Sequence, residues 1–241
     1  MFEWKASQEL KIRRLSIQDC SQQGAQSFVY ASDLHLSGTW TLRIVEQLVS
    51  VVVAEKPSFV MLGGDLVDRS KALPLLTNCV QRLVQVCPVL AVPGNHDEWV
   101  GELAVQQCVE DAGGLWLSHE SWHSEAHLSS PSLSPLHVDG VCMPRTPEQE
   151  APFRILCAHD PLIFPKAVQS GYDLVLAGHL HGGQWVLHET NKGLLVPGAW
   201  FYRWNGLVFE KDNCRMWVSR GLNDTFPLRW NCPREVLLGV L

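Results

Sequence analysis

Gly63-Gly64-Asp65-Leu66-Val67-Asp68-Arg69 is the stretch that decides how the rest of the chain is read. It follows the apolar run Ser58-Phe59-Val60-Met61-Leu62, which reads as a buried strand, and its two glycines let the backbone turn sharply at the strand's end. Asp65 is therefore expected at a carboxyl end of a sheet, where open α/β folds place their chemistry.

Other apolar runs end in the same way. Residues 28–32 lead into Asp33-Leu34-His35, residues 88–92 into Gly94-Asn95-His96-Asp97, residues 153–158 into His159-Asp160, and residues 173–177 into Gly178-His179-Leu180-His181-Gly182-Gly183. Asp33 and Asp65 are 32 residues apart and Asp65 and Asn95 are 30 apart, close to one βαβ unit of about 30 residues. A repeated strand-then-ligand rhythm puts all these groups on one rim.

Between the strands the pattern changes period. Leu42, Val45, Leu48, Val49 and Val52 fall at helical spacing and Pro57 ends that helix; Leu73, Leu76, Val80, Leu83 and Val84 repeat the pattern up to Pro88. A third helix is expected over residues 98–112, stopped by Gly113-Gly114. Residues 10–17 alternate imperfectly and suggest an edge strand. The stretch of about 118–152, rich in Ser, His, Pro and Glu, reads as an elaborated surface segment in which only residues 137–143 look strand-like. Beyond His181 only short apolar runs remain, at 184–187, 194–196, 207–209, 216–218 and 236–241, separated by turns such as Asp212-Asn213. With no internal repeat and no low-complexity linker, residues 1–241 count as one α/β domain.

Composition sets the outer bounds. Hydrophobic residues at 46% and charged residues at 18% describe an ordinary globule, and 19 basic against 25 acidic residues leave a net charge of -6. No broad basic field exists to hold a nucleic-acid backbone, so nucleic acid is disfavoured as a partner. The eight cysteines include no Cys-x-x-Cys pair and sit mostly inside apolar runs, where a thiol behaves as a small hydrophobe. Residues 1–26 hold no apolar core of signal-peptide length and no run is long enough to span a bilayer, so a cytoplasmic location is expected.

Asp33, His35, Asp65, Asn95, His159, His179 and His181 are oxygen or neutral-nitrogen ligands, and none is a thiolate. That mixture suits manganese, iron, zinc or similar ions, while the imidazoles argue against calcium. Seven ligands are too many for one ion. Two ions held about 3.5 to 4 Å apart need a shared carboxylate, and such pairs polarise a phosphoryl group and generate a hydroxide. Two divalent ions, two carboxylates and a hydroxide leave a positive site, which suits an anionic phosphate ester.

The blocks Asp33-x-His35, Gly64-Asp65-x-x-Asp68-Arg69, Gly94-Asn95-His96-Asp97, His159 and Gly178-His179-x-His181 resemble, in order, the motifs of the calcineurin-like metallophosphoesterase superfamily. The resemblance implies a four-layer αββα sandwich, with two mixed sheets flanked by helices, and a centre of two divalent metal ions. It implies that Asp33, His35 and His181 serve one ion, that Asn95, His159 and His179 serve the other, and that Asp65 bridges them. His96 resembles the family's histidine that protonates the leaving oxygen or steadies the transition state, and Asp68 its orienting partner; Arg69 or another cation is expected to offset charge. Gly178-His179-Leu180-His181-Gly182-Gly183-Gln184 and the tail segments Val218-Ser219-Arg220-Gly221-Leu222 and Pro227-Leu228-Arg229 are similar to the bacterial YkuE/YaeI-type branch, although these tail residues suggest no chemistry of their own. That branch also resembles the UDP-2,3-diacylglucosamine pyrophosphatases of lipid A synthesis, which implies a phosphoanhydride or diester substrate, and a small-molecule or lipid-linked phosphate ester is the expected partner.

The expected activity is phosphodiester or phosphoanhydride hydrolysis by in-line attack of a hydroxide bridging the two ions. Phosphomonoester or protein phosphatase action on the same site, and a catalytically silent scaffold of the same fold, are the alternatives. Three side features read blandly. His119, His123 and His127 are spaced for a helix face but lie among Ser and Pro, so a solvated loop is favoured. Trp99, Trp185 and Trp200 flank the motifs, yet core positions are favoured for them. The tail from Trp200 has six basic against four acidic residues, which fits either a peripheral membrane contact or a second sheet with snorkelling arginines.

Overall fold

The computed structural model describes residues 10–17, 26–118, 121–124, 136–141, 143, 153–224 and 228–241. Two six-stranded sheets stack face to face. The first runs in the order β1 (Leu10–Ser16), β14 (Arg234–Val240), β2 (Ser27–Ala31), β3 (Phe59–Gly63), β4 (Val89–Val92) and β5 (Leu115–Trp116). The second runs β12 (Val208–Lys211), β13 (Cys214–Val218), β9 (Leu174–Ala177), β8 (Phe153–Cys157), β7 (Leu136–Asp139) and β6 (Ser121–His123). Both sheets are mixed: β2 to β5 are parallel, as are β13, β9, β8 and β7, while β14 with β2, β12 with β13 and β6 with β7 pair antiparallel. A two-stranded ribbon, β10 (Val186–Glu189) with β11 (Leu195–Pro197), stands apart.

The two-residue period of the strands sorts their side chains into layers. Phe28 and Tyr30 of β2, Phe59 and Met61 of β3, Ile155 and Cys157 of β8 and Trp217 of β13 fill the space between the sheets. Val29, Ala31, Val60 and Leu62 face the other way, onto α1 (Leu42–Glu55), α2 (Leu73–Leu83) and α4 (Glu102–Asp111). On the far side of the second sheet Leu156, Val175 and Met216 pack on α5 (Phe164–Gln169). This is the expected four-layer αββα sandwich. α1 buries Ile44, Val45, Leu48, Val49 and Val52, and Lys56 in the left-handed conformation stops it just before Pro57. The hairpin turn between β12 and β13 takes positive φ at both Asp212 and Asn213, the requirement of a two-residue turn whose twist matches its strands.

Some expectations need correction. The third helix over 98–112 is two helices, α3 (Asn95–Val100) and α4, because Gly101 (φ 117, ψ 95) breaks the run. The segment of about 118–152 is more than a surface elaboration: β6 and β7 belong to the second sheet, and Leu136 and Val138 are buried between the sheets. His123 lies on strand β6, so no helical histidine face forms there; His119 and His127 lie outside the described residues. Trp99, Trp185 and Trp200 are all exposed, not core. Cys79, Cys87, Cys108, Cys157, Cys214 and Cys232 are free thiols, and all but Cys108 are buried. No helix among the described residues is long and apolar enough to cross a membrane.

Candidate metal centre

The parallel strands β2, β3 and β4 deliver Asp33, Asp65 and Asn95 to one edge of the first sheet, and β8 and β9 deliver His159, His179 and His181 to the matching edge of the second. Backbone bonds stitch the loops into one surface: Asp33 N–H to Gly64 O at 2.9 Å, His35 N–H to Asp65 O at 2.9 Å, and Gly178 N–H to His159 O at 3.0 Å. Asp33 (φ 56), His35 (φ 41), Asp65 (φ 52), His179 (φ 70) and His181 (φ 48) are all left-handed, a conformation that Asp and His tolerate better than most residues but that still costs energy. The loops are held there by their neighbours so that side chains leave the strand ends toward a common point.

The two glycines of the Gly63-Gly64-Asp65 turn have different tasks. Gly63 is the last residue of β3, and a Cβ there would meet the Tyr30 ring. Only Gly64 has positive φ (+83), and a Cβ on it would come within 2.7 Å of Pro93 O and 2.8 Å of His159 Nδ1. Buried Asp97 supports the same turn from the next loop: its Oδ1 accepts the N–H groups of Leu66 (2.9 Å) and Val67 (3.0 Å), and its Oδ2 accepts that of Gly94 (2.9 Å).

Three groups of donor atoms converge within 4.8 Å of one another: Asp33 with His35 and His181, Asp65 with His159 and His179, and His35 with Asp65 and His96. Asp65 Oδ2 joins them, lying 3.2 Å from His159 Nε2 and 3.8 Å from His35 Nε2. Asp65 Oδ1 is turned away and accepts the His96 N–H at 2.8 Å. His35 Nε2 and His181 Nε2 are 3.2 Å apart, and His179 Nδ1 and His159 Nε2 are 3.1 Å apart. The remaining ring nitrogens of three of these histidines are tied elsewhere: His35 Nδ1 to Asp68 Oδ1 (2.6 Å), His159 Nδ1 to Gly63 O (2.9 Å), and His181 Nδ1 to Asn223 O (3.1 Å). Such outer contacts fix tautomer and ring orientation, leaving the inner nitrogen as the acceptor a metal requires.

Electrostatics agree. Burial opposes ionisation of Asp65, but its hydrogen bond with His159, the charge of that ring, the His96 N–H and the charge of His35 hold its carboxyl well below the usual range. Burial likewise opposes a charged His159, yet Asp65 and Asp33 push its pKa up to about 9. In the absence of an ion, a proton on His159 offsets the carboxylates that a cation would otherwise neutralise. The donor set fits a pair of divalent ions. Asn95 Oδ1 is buried with no hydrogen-bond partner among the described residues, a state that costs free energy unless a ligand completes it.

His96 sits at the margin. Its Nδ1 is 2.8 Å from Asp68 Oδ1, the same oxygen that holds His35, and its ring lies edge-on to His35 with centroids 4.7 Å apart. Asp68 thus couples the two histidines. Arg69, the next residue, is exposed.

The sequence reading missed one part of the centre, the tail after β13. Asp224 is buried and takes both Arg229 Nε contacts at 2.8 Å, and its Oδ1 lies 3.2 Å from His181 Nδ1. Arg229 Nη2 also donates to Asn223 O at 3.0 Å, and Asn223 Nδ2 donates to His35 O at 3.2 Å. The segment that suggested no chemistry therefore braces two of the histidines. No spacing signal marks it, because Asp224 and His181 are far apart in sequence and meet through β13, which leads into the tail and lies parallel beside β9, which leads into His181.

A two-sheet sandwich with Asp and His clusters at the strand ends defines a metallophosphoesterase architecture. The chain belongs to the calcineurin-like phosphoesterase family, whose pattern matches residues 27–183. It is 26% identical over 222 residues to the phosphodiesterase YaeI of Escherichia coli, covering 87% of this chain and 80% of that one. It is 25% identical over 229 residues to the metallophosphoesterase YkuE of Bacillus subtilis (88% and 78% covered), and 30% identical over 192 residues to a metallophosphoesterase of Aquifex aeolicus (70% and 72%).

Proposed function

We propose that the protein hydrolyses a phosphodiester or phosphoanhydride at this centre. The observation that carries the reading is Asp65 Oδ2, a single carboxylate oxygen within reach of a histidine from each cluster. In this reading Asp33, His35 and His181 hold one divalent ion, Asn95, His159 and His179 a second, and Asp65 is shared; manganese, iron and zinc all suit the donors. When bound, such a pair supplies Lewis acidity toward the phosphoryl oxygens and a nucleophilic hydroxide. His96 protonates the departing oxygen, and Asp68, fixed on its Nδ1 side, orients the ring and aims Nε2 outward. Arg69, on the same loop, adds positive charge near the entering phosphate. The name of the YaeI relative supports a diester over a monoester.

Turnover of bis-(p-nitrophenyl) phosphate against p-nitrophenyl phosphate, with manganese, iron or zinc restored after chelation, tests the proposal. Diester turnover that depends on metal is the expected result. Preference for the monoester would move the protein to the phosphomonoesterase alternative, and metal uptake without turnover of either ester to the silent scaffold.

A further inference from the structure

The exposed aromatic rings are not scattered. Among the described residues, Trp40 follows the Asp33–His35 loop and lies beside Lys71 against Gly38, and Trp99, 75% exposed, leans on His96 with ring centroids 4.5 Å apart. On the other flank Trp185 follows His181 by four residues and pairs with Trp230 across a backbone bridge, their rings 6.4 Å apart. Gly198 packs against Gly183 and starts the turn that presents Trp200 (71% exposed), Phe201 (77%) and Tyr202. These seven rings are all the exposed Trp, Phe and Tyr side chains among the described residues, and each lies on a loop or short helix that follows a metal-ligand motif or packs against one that does. Leu162, just past His159, adds an exposed aliphatic side chain to the same rim.

The arginines show the same bias. Those elsewhere on the surface are paired: Arg14 with Glu55, Arg82 with Glu46 and Arg215 with Glu210. Among the described residues, the arginines without a carboxylate partner are Arg43, Arg69 and Arg203, all exposed: Arg43 opens α1 three residues after Trp40, Arg69 lies on the loop after Asp65, and Arg203 follows Tyr202. A guanidinium left without a carboxylate is suited to phosphate, and Trp and Tyr rings, apolar in body with one polar atom, suit the boundary between water and acyl chains.

We propose that this rim docks the protein on a phospholipid surface carrying anionic headgroups, with the metal edge facing the lipid. Single-stranded nucleic acid would also pair arginine with aromatic rings, but exposed aliphatic side chains such as Leu162 offer no face for base stacking, whereas they suit an acyl-chain boundary. Docking does not depend on which ester the centre cleaves, and its test needs no turnover.

The test is sedimentation of the full chain with vesicles of phosphatidylcholine alone or mixed with phosphatidylglycerol. The expected result is partition that rises with phosphatidylglycerol and falls with salt. Trp200→Ser with Phe201→Ser should weaken it about tenfold or more, since two large rings leave the interface. Arg43→Gln with Arg203→Gln should remove most of the phosphatidylglycerol dependence, and Val53→Ser, an exposed change on the outer helix α1, should have no effect. Melting temperature and metal content verify that each variant is folded. Absence of partition, partition indifferent to the two ring substitutions, binding of a single-stranded oligonucleotide without vesicles, or loss of a dimer in place of vesicle binding would each overturn the proposal.

Discussion

Replacing Asp224 by Asn isolates the brace behind His181 without changing any proposed metal ligand. The carboxylate is buried, contacts Arg229 through both oxygens, and lies 3.2 Å from His181 Nδ1. Asn keeps the volume but removes the charge, leaving Arg229, whose side chain is only 1% exposed, as a buried cation without its partner. Breaking a buried pair in this way costs about 3 to 5 kcal/mol, and in a chain of this length about 2 to 4 °C of melting temperature is lost per kcal/mol, so a fall of roughly 6 to 20 °C is expected. The second consequence is local. Loss of an outer contact to a ligating histidine typically weakens metal affinity about 10- to 100-fold, here for one of the two equivalents only. Calorimetric melting and stepwise metal titration measure the two effects separately. Glu46→Gln, which breaks the exposed pair with Arg82, is the control and should leave the melting temperature essentially unchanged, because water screens a surface pair. If Asp224→Asn melted lower yet bound both equivalents as tightly as the parent, the tail would be a structural clamp only and its role in aiming His181 would be refuted.

The remaining predictions address the centre itself. Asp65→Asn should be the most damaging ligand change, reducing both equivalents of metal, while Asn95→Ala should mainly empty one; metal analysis showing two equivalents and normal turnover in Asp65→Asn would end the bridging assignment. His96→Asn should keep its metal and lose about 10²- to 10⁴-fold in turnover of alkyl esters, with a much smaller loss for p-nitrophenyl esters, whose leaving group needs no proton; equal losses would assign the ring to holding a phosphoryl oxygen, and metal loss would make it a ligand, as its place beside His35 and Asp65 allows. The pH dependence follows from His159, raised to about 9 in the metal-free protein. A raised histidine pKa stabilises the fold fully below the unfolded value of about 6.5 and loses that contribution as pH rises toward 9, so the metal-free protein should melt progressively lower across that window. Metal binding must displace the same proton, so apparent affinity should climb over the same range, and a flat profile in a pH series of titrations would contradict the His159–Asp65 pairing.

Much of this protein was legible because its chemistry sits at chain positions where local rules are strong. An apolar run followed by Gly, Asp, Asn or His marks a strand end, and an α/β domain follows from apolar strands alternating with one-sided helices, while the four-layer arrangement was implied by the family resemblance. The proposed ligands could be named from the five motif blocks alone. Sequence periodicity failed where one residue outweighed it: Gly101 splits a helix whose apolar spacing continues on both sides, and β6 hides in a stretch whose composition is that of a loop. The grouping of the ligands was implied only by the family resemblance, and the folded chain shows the contacts themselves, because Asp65 meets His159 across 94 residues and two sheets and distance in space has no local signature. Only the folded chain decided that Asp224 and Arg229 brace His181 and that the tryptophans beside the motifs face solvent. Hydrophobicity favours burying a Trp, but only the packing of the two sheets determines whether room remains for it, and here the core is closed by Phe28, Tyr30, Phe59 and Trp217 before the rim is reached.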